Sequence, residues 1–211
     1  HVDGLEWNGT EVEVHYRPHF MQDFVNNARL QRYFLDNANE QFQNFAKIGD
    51  KDVAVPTPSF NIVFQISHIY QHLFKEGIGL RQVLDYYYVL KSYAELGDKE
   101  NIDWKETLTY LGLKDITAAI EWILINKFGM NAEWAIVPTD ENRGKFILNE
   151  ILQGGNFGKY DERNARFGHS KIGKNLQRLN RDLRLVRYFP SEALSEPIFR
   201  LWHAHWRYKR N

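Results

Sequence analysis

Several groups of side chains stand at spacings that can do chemistry. Glu11, Glu13 and His15 alternate with Val12, Val14 and Tyr16. In a strand the three polar groups share one face and the three apolar ones the other, so the carboxylates either point into a cleft or meet solvent. His68 and His72 are four apart and share one face of a helix. That spacing can bind Zn²⁺, yet no Glu stands between them as in H-E-x-x-H, and no third ligand is near in sequence. The pair therefore reads as a polar face lining a cleft, or as core or interface histidines. Arg81 and Asp85 are also four apart. They can tie two helices through a two-point contact, or place Arg81 at a phosphate. Gly154-Gly155-Asn156-Phe157-Gly158 is Gly-rich, but it follows no strand and fits neither phosphate-loop spacing, so it reads as a flexible loop.

These groups need elements to hold them. Residues 1–7 and 10–16 flank Asn8-Gly9, a two-residue hairpin signal, and Pro18 stops the second strand. Residues 20–46 carry apolar side chains at helical spacing, with Phe34, Leu35, Phe42 and Phe45 as expected core. A Gly-Asp turn and a short apolar piece lead to Pro56 and Pro58. Helices are then expected over 59–74, 80–96 and a short stretch capped by Asp103. Asp115 opens a further helix over 116–128, dense enough in apolar residues to be buried. Pro138-Thr139-Asp140 marks a break before a helix over 141–152. Residues 153–170 read as loop, and 174–188 and 196–207 as two last helices separated by Phe189-Pro190-Ser191. Tyr86-Tyr87-Tyr88 spans three helix directions, so at least one ring should be exposed. The expected fold is mainly α with a short N-terminal β-hairpin and a helical bundle-like body. The hairpin takes residues 1–18 and the helical domain 19–211, with the Gly-rich loop near 153–170.

Four stretches, in order along nearly the whole chain, resemble one family. They are Val12-Glu13-Val14-His15-Tyr16-Arg17-Pro18, Pro56-Thr57-Pro58-Ser59-Phe60-Asn61 leading into Ser67-His68-Ile69-Tyr70-Gln71-His72, Gly79-Leu80-Arg81-Gln82-Val83-Leu84-Asp85-Tyr86, and Tyr188-Phe189-Pro190-Ser191-Glu192-Ala193-Leu194. The resemblance is to the uncharacterised nucleotidyltransferases related to the DNA polymerase β-type transferases. It implies a small mixed sheet ahead of this chain, carrying a G-D-x-D strand, which makes the whole an α+β protein. Three carboxylates of such enzymes hold Mg²⁺ at the nucleotide phosphates. Glu13 matches the third of them, as catalytic and metal-holding residue. Arg17, Arg81, Asp85, His68 and His72 are then candidates for phosphate or substrate contact. Gly49-Asp50-Lys51-Asp52 imitates the aspartate pair but follows Glu13, whereas the family places its pair upstream, so it reads as a turn. On this reading the chain is the C-terminal part of a transferase acting on an NTP and an unknown acceptor. It needs Mg²⁺ only in the intact protein and is inactive by itself. The alternative is a non-catalytic helical interaction module.

Composition sets outer limits. With 43% hydrophobic residues the 211-residue chain can bury a core, and having no cysteine it has no disulfide, thiolate metal site or cysteine nucleophile. Absence of cysteine suits a reducing, cytoplasmic setting. Residues 163–211 contain twelve Lys/Arg against three Asp/Glu, a balance of +9, so residues 1–162 carry −9. The basic tail reads chiefly as partner to the acidic body. Overall neutrality speaks against specific nucleic-acid binding. The aromatic and basic last helix can also lie on an anionic membrane as a peripheral contact, although an amphipathic closing helix is the plainer reading. Oligomeric state is not legible.

Overall fold

The computed structural model describes residues 2–14, 18–96, 102–155, 161–165, 167–168 and 170–208. Two antiparallel hairpins accompany a body of helices. The first pairs β1 (Val2–Trp7) with β2 (Thr10–Val14), and the second pairs β3 (Phe45–Ile48) with β4 (Lys51–Ala54). The helices are α1 (Phe24–Gln41), α2 (Pro58–Lys75), α3 (Leu80–Leu96), α4 (Trp104–Tyr110), α5 (Lys114–Phe128), α6 (Glu141–Gly154), α7 (Glu162–Ala165), α8 (Lys171–Leu185) and α9 (Pro190–Tyr208). The expected class, mainly α with a short front hairpin, is the one observed.

Local chemistry explains most boundaries. Asn8 and Gly9 adopt φ of 50° and 76°, the left-handed pair that a tight two-residue hairpin turn requires. Thr57 caps α2 by accepting the Phe60 N–H at 3.3 Å, and Pro58 fills the first turn, where no N–H is missed. Asp103 and Asp140 cap α4 and α6 by accepting the N–H groups of Glu106 and Arg143.

Helices α2 and α5 form the centre. Helix α2 buries Ile62, Val63, Ile66, Ile69, Leu73 and Phe74. Helix α5 is buried continuously from Ile116 to Leu124, as expected of a helix that is apolar all round. Gly144 of α6 lies directly on the Trp122 ring of α5, and a Cβ there would run into the ring. Gly144→Val is therefore expected to cost about 3 kcal/mol by overpacking. Gly144→Ala should cost less, because alanine recovers about 1 kcal/mol of helix propensity. Urea unfolding of the two variants checks this; equal stability of Gly144→Val and wild type would refute it.

Several expectations need correction. Helix α1 stops at Gln41, so of the four expected core residues only Phe34 is buried, while Leu35, Phe42 and Phe45 are exposed. Phe45 begins β3 instead, because Gly49-Asp50 closes a hairpin there. Asp115 lies inside α5, and Leu113 takes the cap position. Helix α8 starts at Lys171 under a Ser170 cap. Helix α9 runs unbroken from Pro190 through Pro197. The supposed separator is thus the first turn of α9, a position that tolerates proline. The stretch read as loop contains the short α7. Among the described residues, no helix is long and apolar enough to cross a membrane.

Candidate functional site

Glu13 lies in β2. Leu5 pairs with Val12 and Val2 with Val14, so two residues, Asp3 and Gly4, stand opposite Glu13 alone. A two-against-one register is a β-bulge, a feature that bends a strand and re-aims side chains. Arg17 falls outside the described residues.

Past Pro18 the chain is fixed to α2 by a residue that spacing did not single out. The His19 ring stacks on His68 with centroids 4.6 Å apart, and His68 meets His72 at 4.5 Å. His19 Nδ1 is 3.3 Å from Gln71 Oε1, and Phe64 packs on the His19 ring at 4.6 Å, tilted by 54°. The expected shared face of His68 and His72 is therefore real, and its role is to seat the segment leaving β2. Burial lowers the His72 pKa, outweighing Glu76, whose carboxylate is 3.8 Å away. The ring is thus held neutral at pH 7. Among the described residues, no group of three His, Asp or Glu side chains could hold a metal ion. The Glu13 side chain, expected to hold metal, lies outside the described side chains.

Arg81 and Asp85 are both exposed on α3 and form no ion pair with each other, so the expected tie between helices is not made. No bond among the described residues links them to the histidines. Asp50 and Asp52 belong to the β3–β4 hairpin, and Asp52 pairs with Lys47 across it at 3.3 Å. The tyrosine run divides as expected: Tyr86 is fully buried and Tyr88 exposed.

The second family-like stretch opens a cleft. Thr57, Ser59 and Phe60 face Tyr33, Asn37, Glu40 and Gln41 of α1 and Ile102, Trp104 and Thr107 around α4, enclosing about 410 Å³. That is within the range of small-molecule sites. Its mouth is organised by hydrogen bonds: the Thr57 N–H donates to Gln41 Oε1 at 2.7 Å, and the Thr57 and Ser59 hydroxyls are 3.1 Å apart. The buried Trp104 Nε1 donor has no acceptor among the described residues. Tyr33 and Phe60 stack at 6.2 Å. Aromatic walls with hydroxyls, amides and one carboxylate suit a polar organic ligand. Residue order does not signal this cleft: the Pro-Thr-Pro-Ser stretch reads only as family-like, and the α1 and α4 walls are distant from it in the chain.

The fourth stretch is a clasp. Buried Glu192 accepts the Gln22 and Asp23 N–H groups at 2.5 and 3.1 Å, and the Ser191 hydroxyl donates to Asp23 at 2.6 Å. Phe199 of α9 stacks on Phe20 at 5.5 Å. The C-terminal helices are thereby locked to the segment joining hairpin and α1.

The described residues thus give a bulged strand, a histidine stack on α2 and a cleft between α1, α2 and α4. The profile of the family described as uncharacterised nucleotidyltransferase matches residues 1–124, more than half of the chain. The chain belongs to that family. Comparison with curated proteins and with solved structures gives no match.

Proposed function

We propose that the chain serves transfer of a nucleotidyl group from an NTP to a small polar acceptor. In this reading Glu13 supplies one of three metal-holding carboxylates, Arg17 or Arg81 meets phosphate, and the cleft over Thr57, Ser59 and Phe60 takes the acceptor. The observation that carries it is the bulged β2 at Glu13, whose outgoing segment is anchored on α2 by His19, within the family-matched span. In this reading the other metal-holding carboxylates come from outside the described residues, and the chain alone would be inactive.

The test is titration calorimetry with ATP, GTP, CTP and UTP in Mg²⁺, on this chain and on a form extended upstream of His1. The extended form should bind one nucleotide, and Glu13→Gln should weaken that Mg²⁺-dependent binding by at least tenfold, about 1.4 kcal/mol. No binding by the extended form sinks the proposal. The rival reading, a non-catalytic interaction module, draws on the exposed Leu176, Leu179, Leu183, Leu194 and Leu201 of α8 and α9. It predicts that no nucleotide binds either form.

A further inference from the structure

The cleft between α1, α2 and α4 is one-sided in charge. Of the described residues that line it, Glu40 alone is charged. Glu40 is exposed and forms no ion pair among the described residues. Arg32 and Asp36, also on α1, pair with each other at 3.9 Å, and Asp103, Lys105 and Glu106 around α4 do not line the cleft. Among the described residues, the wall thus has no lysine, arginine or histidine to meet an anion.

Hydrogen bonding in the wall is one-sided too. Asn37 stands three residues before Glu40, so the two are neighbours on one face of α1. The Asn37 amide donates to the Tyr33 carbonyl at 2.8 Å, and the Gln41 amide donates to the Asn37 carbonyl at 3.0 Å. Gln41 Oε1 is taken by the Thr57 N–H. What α1 leaves to a ligand is a pair of acceptors, Asn37 Oδ1 and the Glu40 carboxylate, which no bond among the described residues engages. Across the cleft stand the paired Thr57 and Ser59 hydroxyls and the Phe60 ring.

We infer that this cleft binds a small amine carried on a hydroxylated carbon frame, of the amino-sugar or amino-alcohol class. A phosphate or carboxylate would face Glu40 with no cation to offset the repulsion, so the cleft disfavours the nucleotide itself. A hydrocarbon would strip water from the acceptors and hydroxyls and give nothing back. An ammonium group brings three donors and a positive charge, which match the two acceptors on α1. The Tyr33 and Phe60 rings add a surface that attracts cations and covers the apolar side of a sugar-sized frame. The ligand's hydroxyls meet those of Thr57 and Ser59, and a volume of about 410 Å³ holds one such molecule. Its being the acceptor of the transfer rests on the reading proposed above; its binding here does not.

NMR titration of the 211-residue chain at about pH 6, where the amine is protonated, makes the test. The indole N–H signal of Trp104, in the cleft wall, reports binding, and Trp104→Phe assigns it. Glucosamine, glucose and a glucose phosphate share one frame and differ in charge, while cyclohexylamine carries the ammonium without hydroxyls. Glucosamine should shift the signal saturably. Glucose should bind about fivefold more weakly, as expected of a lost ion pair at an exposed carboxylate. Cyclohexylamine should also bind more weakly, and the phosphate should not bind. Glu40→Gln should bring glucosamine to the level of glucose and leave glucose unchanged, with the fold intact because the residue is exposed. The inference is overturned if glucosamine does not bind, if Glu40→Gln leaves its affinity unaltered, or if the phosphate or cyclohexylamine binds as tightly. No nucleotide enters this experiment, so the transfer reading can fail by calorimetry while this one succeeds, and the reverse.

Discussion

Arg163→Ala is expected to destabilise the protein by about 3–5 kcal/mol, the range for removing one partner of a buried ion pair. One guanidinium serves two carboxylates. It donates to Glu150 at 2.6 and 3.1 Å and to Asp161 at 2.7 and 2.9 Å. Arg184 adds a contact to Glu150 at 3.3 Å. Glu150 and Asp161 are nearly inaccessible, so each would lose its two-point partner and keep only weaker attraction from Arg184 and Arg181 among its neighbours. Burial alone would raise the Asp161 pKa, yet the hydrogen bonds from Arg163 hold it below the usual carboxylate range. The network joins α6, the segment carrying Asp161 and α8, so the loss should show as a lower melting temperature, about 10 °C for a chain of this size. Arg163→Lys keeps the charge but not the two-point geometry and should lose an intermediate amount. A loss below about 1 kcal/mol in Arg163→Ala would show that the network is solvated.

Stability should fall as pH rises from about 5 to about 9, by several kcal/mol. Three buried carboxyl groups drive this. Burial pushes Glu121 up to about 8 even though it accepts the Ile136 and Val137 N–H groups at 3.3 Å. Burial and the neighbouring Glu196 carboxylate raise Asp182 to about 8, and burial raises Glu192 to about 7. A raised native pKa means that the folded state holds protons which the unfolded chain has released. Its contribution is complete below the unfolded value, 4.5 for Glu and 3.8 for Asp, and is lost as pH rises through the native value. His72 acts in the opposite sense: with a lowered native pKa, its contribution is present above 6.5 and fades as pH falls. The three carboxyls outweigh one half-buried ring. Glu121→Gln keeps an acceptor for only one of the two N–H groups, which costs stability at every pH, but it has no proton to lose, so it should flatten the profile between about pH 7 and 9. Thermal unfolding across the pH range checks this, and a melting temperature that climbs from pH 5 to 9 would refute it.

Glu13 and the histidines show how far residue order alone reaches. Period-two alternation and Asn8-Gly9 determine the first hairpin, because strand faces and turn dihedrals are local properties. The same holds for the helices with side-chain caps at Thr57, Asp103 and Asp140. Four-residue spacing suffices to put His68 and His72 on one face. It does not say what covers that face: His19 arrives from 49 positions upstream of His68, and only the docking of the segment after β2 brings it there.

The larger departures have the same cause. Leu35, Phe42 and Phe45 look like core because they are apolar, but burial depends on which side of α1 meets α2, and the second hairpin stands almost wholly exposed. The Gly-rich stretch looks solvated because it is polar, yet Asp161 and Arg163 are drawn into an ion network by partners on α6 and α8. The tail looks like a basic closing helix from its charge count. Tertiary packing turned Asp182, Glu192 and Glu196 inward instead, leaving two leucine rows outside. Sequence by itself therefore determined the helical class, the hairpins, most helix ends and the family. The tertiary structure decided the cleft at Thr57, the histidine stack on α2 and the outward apolar rows, since each depends on elements distant in the chain whose contacts no local spacing encodes.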